Sequence, residues 1–294
     1  MLITILLLLN LGALLGFLYH QVNFRLPLNI LQPGRREGVA TPADFGLAYD
    51  HFLLAVAPAV ELDCFFVPAT TAPKANLIIL HGVGSSKEAY LPQAEALCAM
   101  GYNLFMADQR AHGKSTKKHL SYGHYEKVDV RKMTDWLAEK TGDLRTGIYG
   151  NSMGGAVALQ SLDHDHRLAF GLIESTFTDL PTVTRAYAKR MGLGWLPDAV
   201  MDFVLRRAGI LADFDPWSIR PVSAARQLHQ PVQFIHGDAD QRIDPAHARQ
   251  LFAACGSTDK DLYLVPGGDH TDLWEVGDPE YPKRFFGFLR RMAG

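Results

Sequence analysis

Short runs of consecutive apolar residues recur along the chain and alternate with segments whose apolar residues follow a helical period. Such runs are typical of strands that are buried on both faces of a sheet. Seven strands are predicted in this way, at residues 61–67, 76–80, 103–107, 146–149, 168–173, 231–235 and 261–265. Helices are predicted between and after them, at about residues 90–100, 128–139 and 279–292. This alternation predicts an α/β fold with a mostly parallel sheet and helices on both of its faces.

One stretch of the chain interrupts the alternation. Between about residues 177 and 220 the pattern contains helical fragments and no buried strand. An insertion at this point predicts a helical cap over the strand ends, which would shape a substrate pocket. The alternative is an extra pair of helices that packs on the edge of the sheet. The most apolar candidates in this stretch are Leu193, Trp195, Leu196, Met201, Phe203 and Leu205.

The first 19 residues, Met1 to Tyr19, form an apolar run without a charged side chain. Roughly 20 apolar residues are needed to span the hydrocarbon core of a bilayer. Because no Lys or Arg precedes the run and no clear Ala-x-Ala site follows it, residues 1–19 are predicted to be an uncleaved transmembrane anchor. A cleaved signal peptide is the alternative. Residues 20–41, with Pro27, Pro33 and Gly34, are predicted to link the anchor to an α/β domain at residues 42–294.

Charge gives further limits on location and partners. Arg25, Arg35 and Arg36 follow the apolar run, and the positive-inside tendency then predicts a cytoplasmic α/β domain. Cleavage as a signal peptide would instead give a secreted or periplasmic protein. The formal net charge of −2 gives no electrostatic reason to expect a nucleic acid as a partner. The three cysteines are scattered along the chain and indicate neither a disulfide framework nor a thiolate zinc site.

Residues Gly150–Gly154 form a G-x-S-x-G pentapeptide between a predicted strand and a predicted helix. A serine on such a sharp turn is held clear of the backbone at the carboxyl edge of a sheet. The flanking glycines remove the Cβ atoms that would obstruct the turn, and the helix N-terminus favours developing negative charge. We therefore predict that Ser152 is the nucleophile of a hydrolase.

A serine hydroxyl is a weak nucleophile until a base removes its proton, and a third group must orient that base. His270 follows the last predicted strand in a glycine-rich turn and is the candidate base. Asp240 follows the strand at residues 231–235 and is the candidate acid. The order Ser–Asp–His along the chain is the one expected for this architecture. Glu174, at the end of the strand after the nucleophile helix, is the main alternative acid.

Acyl transfer also needs N–H donors that point at the oxyanion of its tetrahedral intermediate. Met153 follows the nucleophile, and Val83 lies in the loop His81–Gly84 after a predicted strand. Their main-chain N–H groups are the candidate oxyanion donors, and an ordinary glycine turn is the alternative for the loop. No metal is expected, because the histidines lack a ligand spacing such as H-E-x-x-H.

Several segments together resemble the α/β-hydrolase superfamily. They are His81-Gly82, residues 108–115 (DQRAHGKS), the serine pentapeptide, His236-Gly237-x-x-Asp240 and Gly267-x-x-His270. The resemblance is closest to the serine-hydrolase branch with monoacylglycerol-lipase-like, BEM46-like and serine aminopeptidase-like members. It covers roughly residues 60–288 except for the cap, which resembles no single subfamily. It implies an eight-stranded sheet, a Ser152–Asp240–His270 triad and a cofactor-free mechanism. Ala111 stands where the family more often has glycine.

The expected function is hydrolysis of carboxylic ester or thioester bonds through an acyl-enzyme intermediate. An apolar cap on a membrane-tethered chain suits a small-molecule or lipid-like acyl substrate, although the apolar residues could equally serve only to pack the cap. Two other functions stay open. One is a serine aminopeptidase-type amide hydrolase, and the other is a catalytically silent, membrane-anchored binding protein.

Overall fold

Eight strands form one sheet in the computed structural model, which describes residues 1–32, 34–277 and 279–294. In chain order they are β1 Asp50–Ala57, β2 Val60–Val67, β3 Ala75–Leu80, β4 Tyr102–Ala107, β5 Arg145–Asn151, β6 Leu168–Glu174, β7 Val232–Gly237 and β8 Lys260–Val265. Across the sheet the order is β1-β2-β4-β3-β5-β6-β7-β8. Strand β2 is antiparallel to both of its neighbours, and the other pairs are parallel.

Helices cover both faces of this sheet, and the full set also includes the N-terminal and cap helices. In chain order they are α1 Leu2–His20, α2 Leu26–Leu31, α3 Leu91–Ala99, α4 Glu126–Thr141, α5 Met153–His164, α6 Leu180–Ala188, α7 Asp198–Ala212, α8 Pro221–Gln227, α9 Ala246–Ala254, α10 Leu273–Val276 and α11 Glu280–Ala293. The predicted α/β-hydrolase fold is therefore confirmed.

Alternate residues of the central strands pack into two separate hydrophobic cores. In β3, Ile78 and Leu80 pack with α4 and α5, whereas Leu77 and Ile79 pack with α3 and α11 on the other face. Successive side chains of a strand point to opposite faces, so a strand covered on both faces must be apolar throughout. This arrangement explains why the inner strands were visible in the sequence as continuous apolar runs.

Residues 175–220 contain α6 and α7 and no strand, and they form the helical cap. Asp179 begins α6, and its side chain accepts a hydrogen bond of 2.9 Å from the backbone N–H of Thr182. This N-cap satisfies a donor that the first helical turn leaves free. An ion pair between Arg185 and Asp202 connects α6 to α7.

The N-terminal helix is longer than the sequence suggested. Helix α1 continues through a π-helical segment, Gln21–Arg25, directly into α2. The predicted linker at residues 20–41 is therefore helical as far as Leu31, and Pro27 lies within this helix just after the π-helical segment. No side chain of α1 is buried, whereas Leu31 is fully buried in the cap core. By length and composition this helix could cross a membrane.

Candidate active site

The turn between β5 and α5 holds Ser152 in a rarely populated backbone conformation, with φ 55° and ψ −118°. Such a conformation costs on the order of 1–3 kcal/mol and persists only where the surroundings enforce it. A Cβ atom on Gly150 would lie 2.2 Å from the carbonyl oxygen of Gly154. A Cβ on Gly154 would lie 2.2 Å from the carbonyl oxygen of Leu80. Both glycines are therefore required by close backbone contacts, as the pentapeptide indicated.

Two hydrogen bonds from β6 and its following turn fix this strained residue. The backbone N–H of Ser152 donates to the carbonyl oxygen of Glu174 over 2.8 Å. The hydroxyl of Thr176 donates to the carbonyl oxygen of Ser152 over 2.6 Å. The backbone of the serine is thus satisfied on both sides, and its side chain is left at the carboxyl edge of the sheet.

The structure brings Ser152, His270 and Asp240 together in one chain of hydrogen bonds. His270 Nε2 lies 3.1 Å from Ser152 Oγ, and His270 Nδ1 lies 2.7 Å from Asp240 Oδ2. All three side chains are buried. A proton on Nδ1 satisfies the carboxylate and leaves the Nε2 lone pair facing the hydroxyl. In this arrangement an imidazole can remove the proton of a serine.

Asp240 is held by four donors. Its Oδ1 accepts from the backbone N–H groups of Arg242 and Ile243, at 2.7 and 2.9 Å. Its Oδ2 lies 2.7 Å from His270 Nδ1 and 3.1 Å from His236 Nε2. Burial alone would raise the pKa of Asp240, but the hydrogen bonds from His236 and His270 outweigh burial and lower the pKa. The carboxylate therefore stays ionised at neutral pH.

His236 is a site residue that the sequence interpretation treated only as part of a turn. Its ring is fully buried, and Nε2 contacts both the carboxylate of Asp240 and the carbonyl oxygen of Ile243, the latter at 2.9 Å. A proton on Nε2 can be shared between these two acceptors, so the ring of His236 is a second histidine donor to the Oδ2 atom that His270 also contacts. The available signal was the His-Gly-x-x-Asp spacing, which places the histidine four residues before the acid.

Glu174, the alternative acid, is engaged elsewhere. Its carboxylate accepts a 2.7 Å hydrogen bond from Asn151 Nδ2 and a 3.2 Å hydrogen bond from the Tyr149 hydroxyl. The hydroxyl of Tyr281 donates a third. Burial raises the pKa of Glu174. Among the described residues, its hydrogen-bond partners do not include His270, and its contacts instead brace the residue that precedes the serine.

The loop His81–Gly84 passes directly beside the serine. A Cβ atom on Gly82 would lie 3.1 Å from the Cβ of Ser152. Val83 lines the same cavity as the serine, and Met153 is the first residue of α5. Within the described residues, neither the Val83 nor the Met153 N–H donates to a protein acceptor. Both groups are therefore free to bind a substrate oxygen.

The ring of His81 fixes this loop from beneath. Its Nδ1 lies 2.8 Å from the carbonyl oxygen of Gly82, and its Nε2 accepts a 3.0 Å hydrogen bond from the backbone N–H of Gln109. Burial, together with the neighbouring His112, lowers the pKa of His81 to about 3. The ring is therefore neutral, donates from Nδ1 and accepts at Nε2.

A cavity of about 960 Å³ opens above Ser152. Its apolar walls come from the cap and from the N-terminal helix, through Leu180, Val183, Met201, Leu26 and Ile30. Of the apolar cap candidates, Leu193 and Met201 line the cavity, and Leu205 is buried in the cap core. Trp195 and Phe203 are exposed.

Comparison with known proteins agrees with this architecture. The family model described as serine aminopeptidase, S33, matches residues 71–191 and 208–276. The interval between the two matched segments lies in the cap, which is the part of the chain that the resemblance did not assign to a subfamily.

Two curated proteins and one solved structure illustrate the likeness. The chain is 27% identical over 267 residues to the protein bem46 of Schizosaccharomyces pombe, and the match covers 88% of this chain and 83% of that protein. It is 26% identical over 240 residues to the monoglyceride lipase of Homo sapiens, with 71% of this chain and 79% of that protein covered. An esterase of Pyrococcus furiosus shares the fold, with a TM-score of 0.73, 24% identity and coverage of 90% of this chain and 98% of that chain.

Proposed function

We propose that this chain, which belongs to the serine aminopeptidase S33 family and is an α/β-hydrolase of the lipase and esterase type, hydrolyses carboxylic ester or thioester bonds through a Ser152–His270–Asp240 triad. One observation carries the proposal. A buried imidazole lies within hydrogen-bond distance of both a strained serine hydroxyl and an ionised carboxylate, at the floor of an apolar cavity.

The reaction proceeds in two acyl-transfer steps. His270 accepts the proton of Ser152, and the resulting alkoxide attacks the substrate carbonyl carbon. The N–H groups of Val83 and Met153 bind the oxyanion, and Asp240 stabilises the imidazolium. His270 then protonates the leaving group, and an acyl-enzyme remains. In the second step His270 deprotonates a water, which attacks the acyl-enzyme and releases the carboxylic acid.

The lining of the cavity favours an apolar acyl substrate over a peptide with a free amino terminus. Binding of a protonated amino group requires a carboxylate, and the described residues that line the cavity include no Asp or Glu. The apolar side chains of the cap and of the N-terminal helix suit an acyl chain. Ester or thioester hydrolysis of a lipid-like substrate is therefore preferred to aminopeptidase activity, even though the family carries the peptidase name.

The N-terminal helix is proposed to anchor the enzyme in a membrane. The helix has 30 residues, so it is about 45 Å long at 1.5 Å per residue. Its first part is uncharged and spans the hydrocarbon core, while its last turns, from Leu26, line the cavity. The arginines that follow the span favour a cytoplasmic catalytic domain. Protease protection of the domain in sealed vesicles tests this orientation, and the mass of the mature N-terminus distinguishes an anchor from a cleaved signal.

Labelling with a fluorophosphonate tests the nucleophile. The wild-type protein is expected to react at Ser152, and Ser152→Ala is expected to lose the label while its melting temperature changes little. Ser85→Ala is the matched control, because Ser85 lines the same cavity but is outside the hydrogen-bond chain. Full labelling of Ser152→Ala would refute the assignment. A folded wild-type protein that neither reacts nor turns over any ester would favour the binding-protein alternative.

A further inference from the structure

The charged side chains that line the cavity above Ser152 are all positive. Its charged lining residues, among those the structure describes, are Arg36, Arg190 and Arg242, with no carboxylate. The three arginines come from different parts of the chain. Arg36 follows the N-terminal helix, Arg190 lies in the cap just after α6, and Arg242 lies in the loop after β7. Three separate segments therefore bring guanidinium groups to one opening.

These guanidinium groups differ from the arginines that form ion pairs with carboxylates. Five arginines elsewhere pair with carboxylates, as in Arg110–Asp129 and Arg291–Asp259. Over the part of the chain that the structure describes, no carboxylate lies within 4 Å of the three guanidinium groups at the cavity. The side-chain contact that Arg190 makes is a 3.5 Å hydrogen bond to the carbonyl oxygen of Gln241.

Asp269 is a carboxylate whose pKa is lowered in part by the charge of Arg242, and it already accepts a backbone hydrogen bond. Its Oδ1 accepts a 2.8 Å hydrogen bond from the backbone N–H of Gln241. Backbone hydrogen bonds from Gln241 and His270 lower the pKa of Asp269, and Arg242 adds to the effect from a greater distance. Asp269 is half-buried and does not line the cavity, so it leaves Arg242 available to an external anion.

Apolar side chains line the same cavity together with uncharged polar ones. Leu26 and Ile30 of the N-terminal helix face the cavity together with Val183 and Met201 of the cap. A ligand that contacts both the apolar side chains and the arginines must have an apolar chain and an anionic end. Arginine binds phosphate through paired, charge-assisted hydrogen bonds, and an anion at the opening would be attracted before it enters.

We infer that the substrate is an acyl ester or thioester whose leaving group carries phosphate, with the acyl chain against the apolar walls and the phosphate against Arg36, Arg190 and Arg242. The inference rests on the proposed function, which supplies the chemistry. The acyl carbon–oxygen or carbon–sulfur bond breaks, the acyl group passes to Ser152 and then to water, and His270 returns a proton to the phosphate-bearing alcohol or thiol. Two sources share this chemistry, a lysophospholipid headgroup in the membrane and a soluble phosphate-bearing thiol.

The test compares three substrates with the same dodecanoyl chain on the full-length enzyme in detergent. They are 1-dodecanoylglycerol, which is neutral, its 3-phosphate, and dodecanoyl-coenzyme A. At least one phosphate-bearing substrate is expected to exceed the neutral ester about tenfold in kcat/KM, a ratio equivalent to about 1.4 kcal/mol. The better of the two identifies the source. The preference is expected to fall between 50 and 500 mM salt, because the opening is exposed to solvent.

Variants assign the preference to the arginines. Arg190→Gln combined with Arg242→Gln is expected to reduce the ratio of phosphate-bearing to neutral kcat/KM about tenfold, mainly through KM, because the phosphate is bound away from the reacting carbonyl. Arg249→Gln is the matched control, since Arg249 is exposed on α9 and does not line the cavity. Its ratio is expected to stay at the wild-type value. Arg36→Gln provides a second test if the double variant does not fold.

Two results would overturn the inference and separate it from the proposed function. Wild-type turnover of the neutral ester that equals or exceeds that of both phosphate-bearing substrates, with no change in the arginine variants, would reject the inference and leave the serine hydrolase in place. No turnover of any of the three substrates, together with no fluorophosphonate label on Ser152, would reject both.

Discussion

Replacement of Asp240 by asparagine should nearly abolish turnover while leaving a folded protein. The structure determines how the new amide must lie. Oδ1 of the carboxylate accepts two backbone N–H groups, from Arg242 and Ile243, and only the oxygen of an asparagine can replace it there. The amide NH₂ group is then directed at His270 and His236, where the carboxylate had accepted two imidazole protons.

This orientation reverses the role of the imidazole. An NH₂ group cannot accept from His270 Nδ1, so the neutral ring must place its proton on Nε2 and accept at Nδ1. His270 Nε2 would then donate to the Ser152 hydroxyl instead of removing its proton. The equivalent loss of the correct tautomer in serine hydrolases costs about 10⁴-fold in kcat, which is about 5.5 kcal/mol of transition-state stabilisation.

The effect on folding should be much smaller. Two charge-assisted backbone hydrogen bonds become neutral ones, at a cost of about 1 kcal/mol each. For a chain of this size, about 2 kcal/mol lowers the melting temperature by several degrees. Steady-state turnover of p-nitrophenyl butyrate at neutral pH, read beside a thermal melt, therefore separates the catalytic loss from the structural one.

Glu174→Gln is the matched control for the acid assignment. Glu174 is buried and accepts hydrogen bonds from Asn151, Tyr149 and Tyr281, so the change removes one carboxylate from the same sheet edge without altering the His270 tautomer. We expect Glu174→Gln to lose less than about tenfold in kcat. If Asp240→Asn retained more than a few per cent of wild-type kcat while Glu174→Gln lost nearly all of it, the assignment of Asp240 would be refuted.

Three further changes probe the oxyanion loop, the acyl pocket and the core. Gly82→Ala places a methyl group 3.1 Å from the Cβ of Ser152, so the loop must shift by a few tenths of an ångström. The kcat should then fall about tenfold with little change in melting temperature. An unchanged kcat would contradict the proposed oxyanion donors. Leu26→Ala enlarges the cavity and should change the preference between butyryl and dodecanoyl esters. Leu28→Ala, on the same helix but outside the cavity lining, should not change it. The same acyl-chain preference in both variants would contradict a pocket wall made by the helix. Lys87→Met leaves two buried aspartates without their cation and should cost about 3–5 kcal/mol in unfolding free energy, and a wild-type melt would contradict that role.

The inner strands of the sheet could be predicted because burial on both faces demands consecutive apolar residues. Strand β1 was not among the predicted strands. It is an edge strand that pairs only with β2, and Val56 is its one buried residue. Residues 52–57 of this strand are nonetheless a continuous apolar run, so an apolar run alone does not show how far a strand is buried.

The N-terminal helix shows a different limit. Residues 20–41, with Pro27, were predicted to be a linker, yet the π-helical segment Gln21–Arg25 lies just before Pro27 and keeps the helix continuous into α2. A local widening of this kind accommodates a proline without ending the helix. The packing of Leu31 in the cap core joins parts of the chain far apart in sequence, and no local pattern records such a contact.

At the site, the order and type of the proposed catalytic residues could be predicted from the sequence, but the residues that hold them in place could not. The three residues of the proposed triad could be named because each follows a strand in a glycine-containing turn. The role of His236 depends on a ring position that only the fold determines. Ala111 illustrates the reverse case: it adopts φ 65°, which explains why glycine is more common at this position in the family.

The central claim is that an acyl group passes through the oxygen of Ser152, and rapid-quench mass spectrometry tests it most directly. The full-length enzyme is mixed with p-nitrophenyl dodecanoate, quenched in acid before deacylation is complete, and digested. The account predicts a dodecanoyl adduct on the peptide that contains Ser152, formed at the rate of the p-nitrophenol burst and absent from Ser152→Ala. Turnover with the acyl group on another residue, or at the wild-type rate in Ser152→Ala, would contradict it.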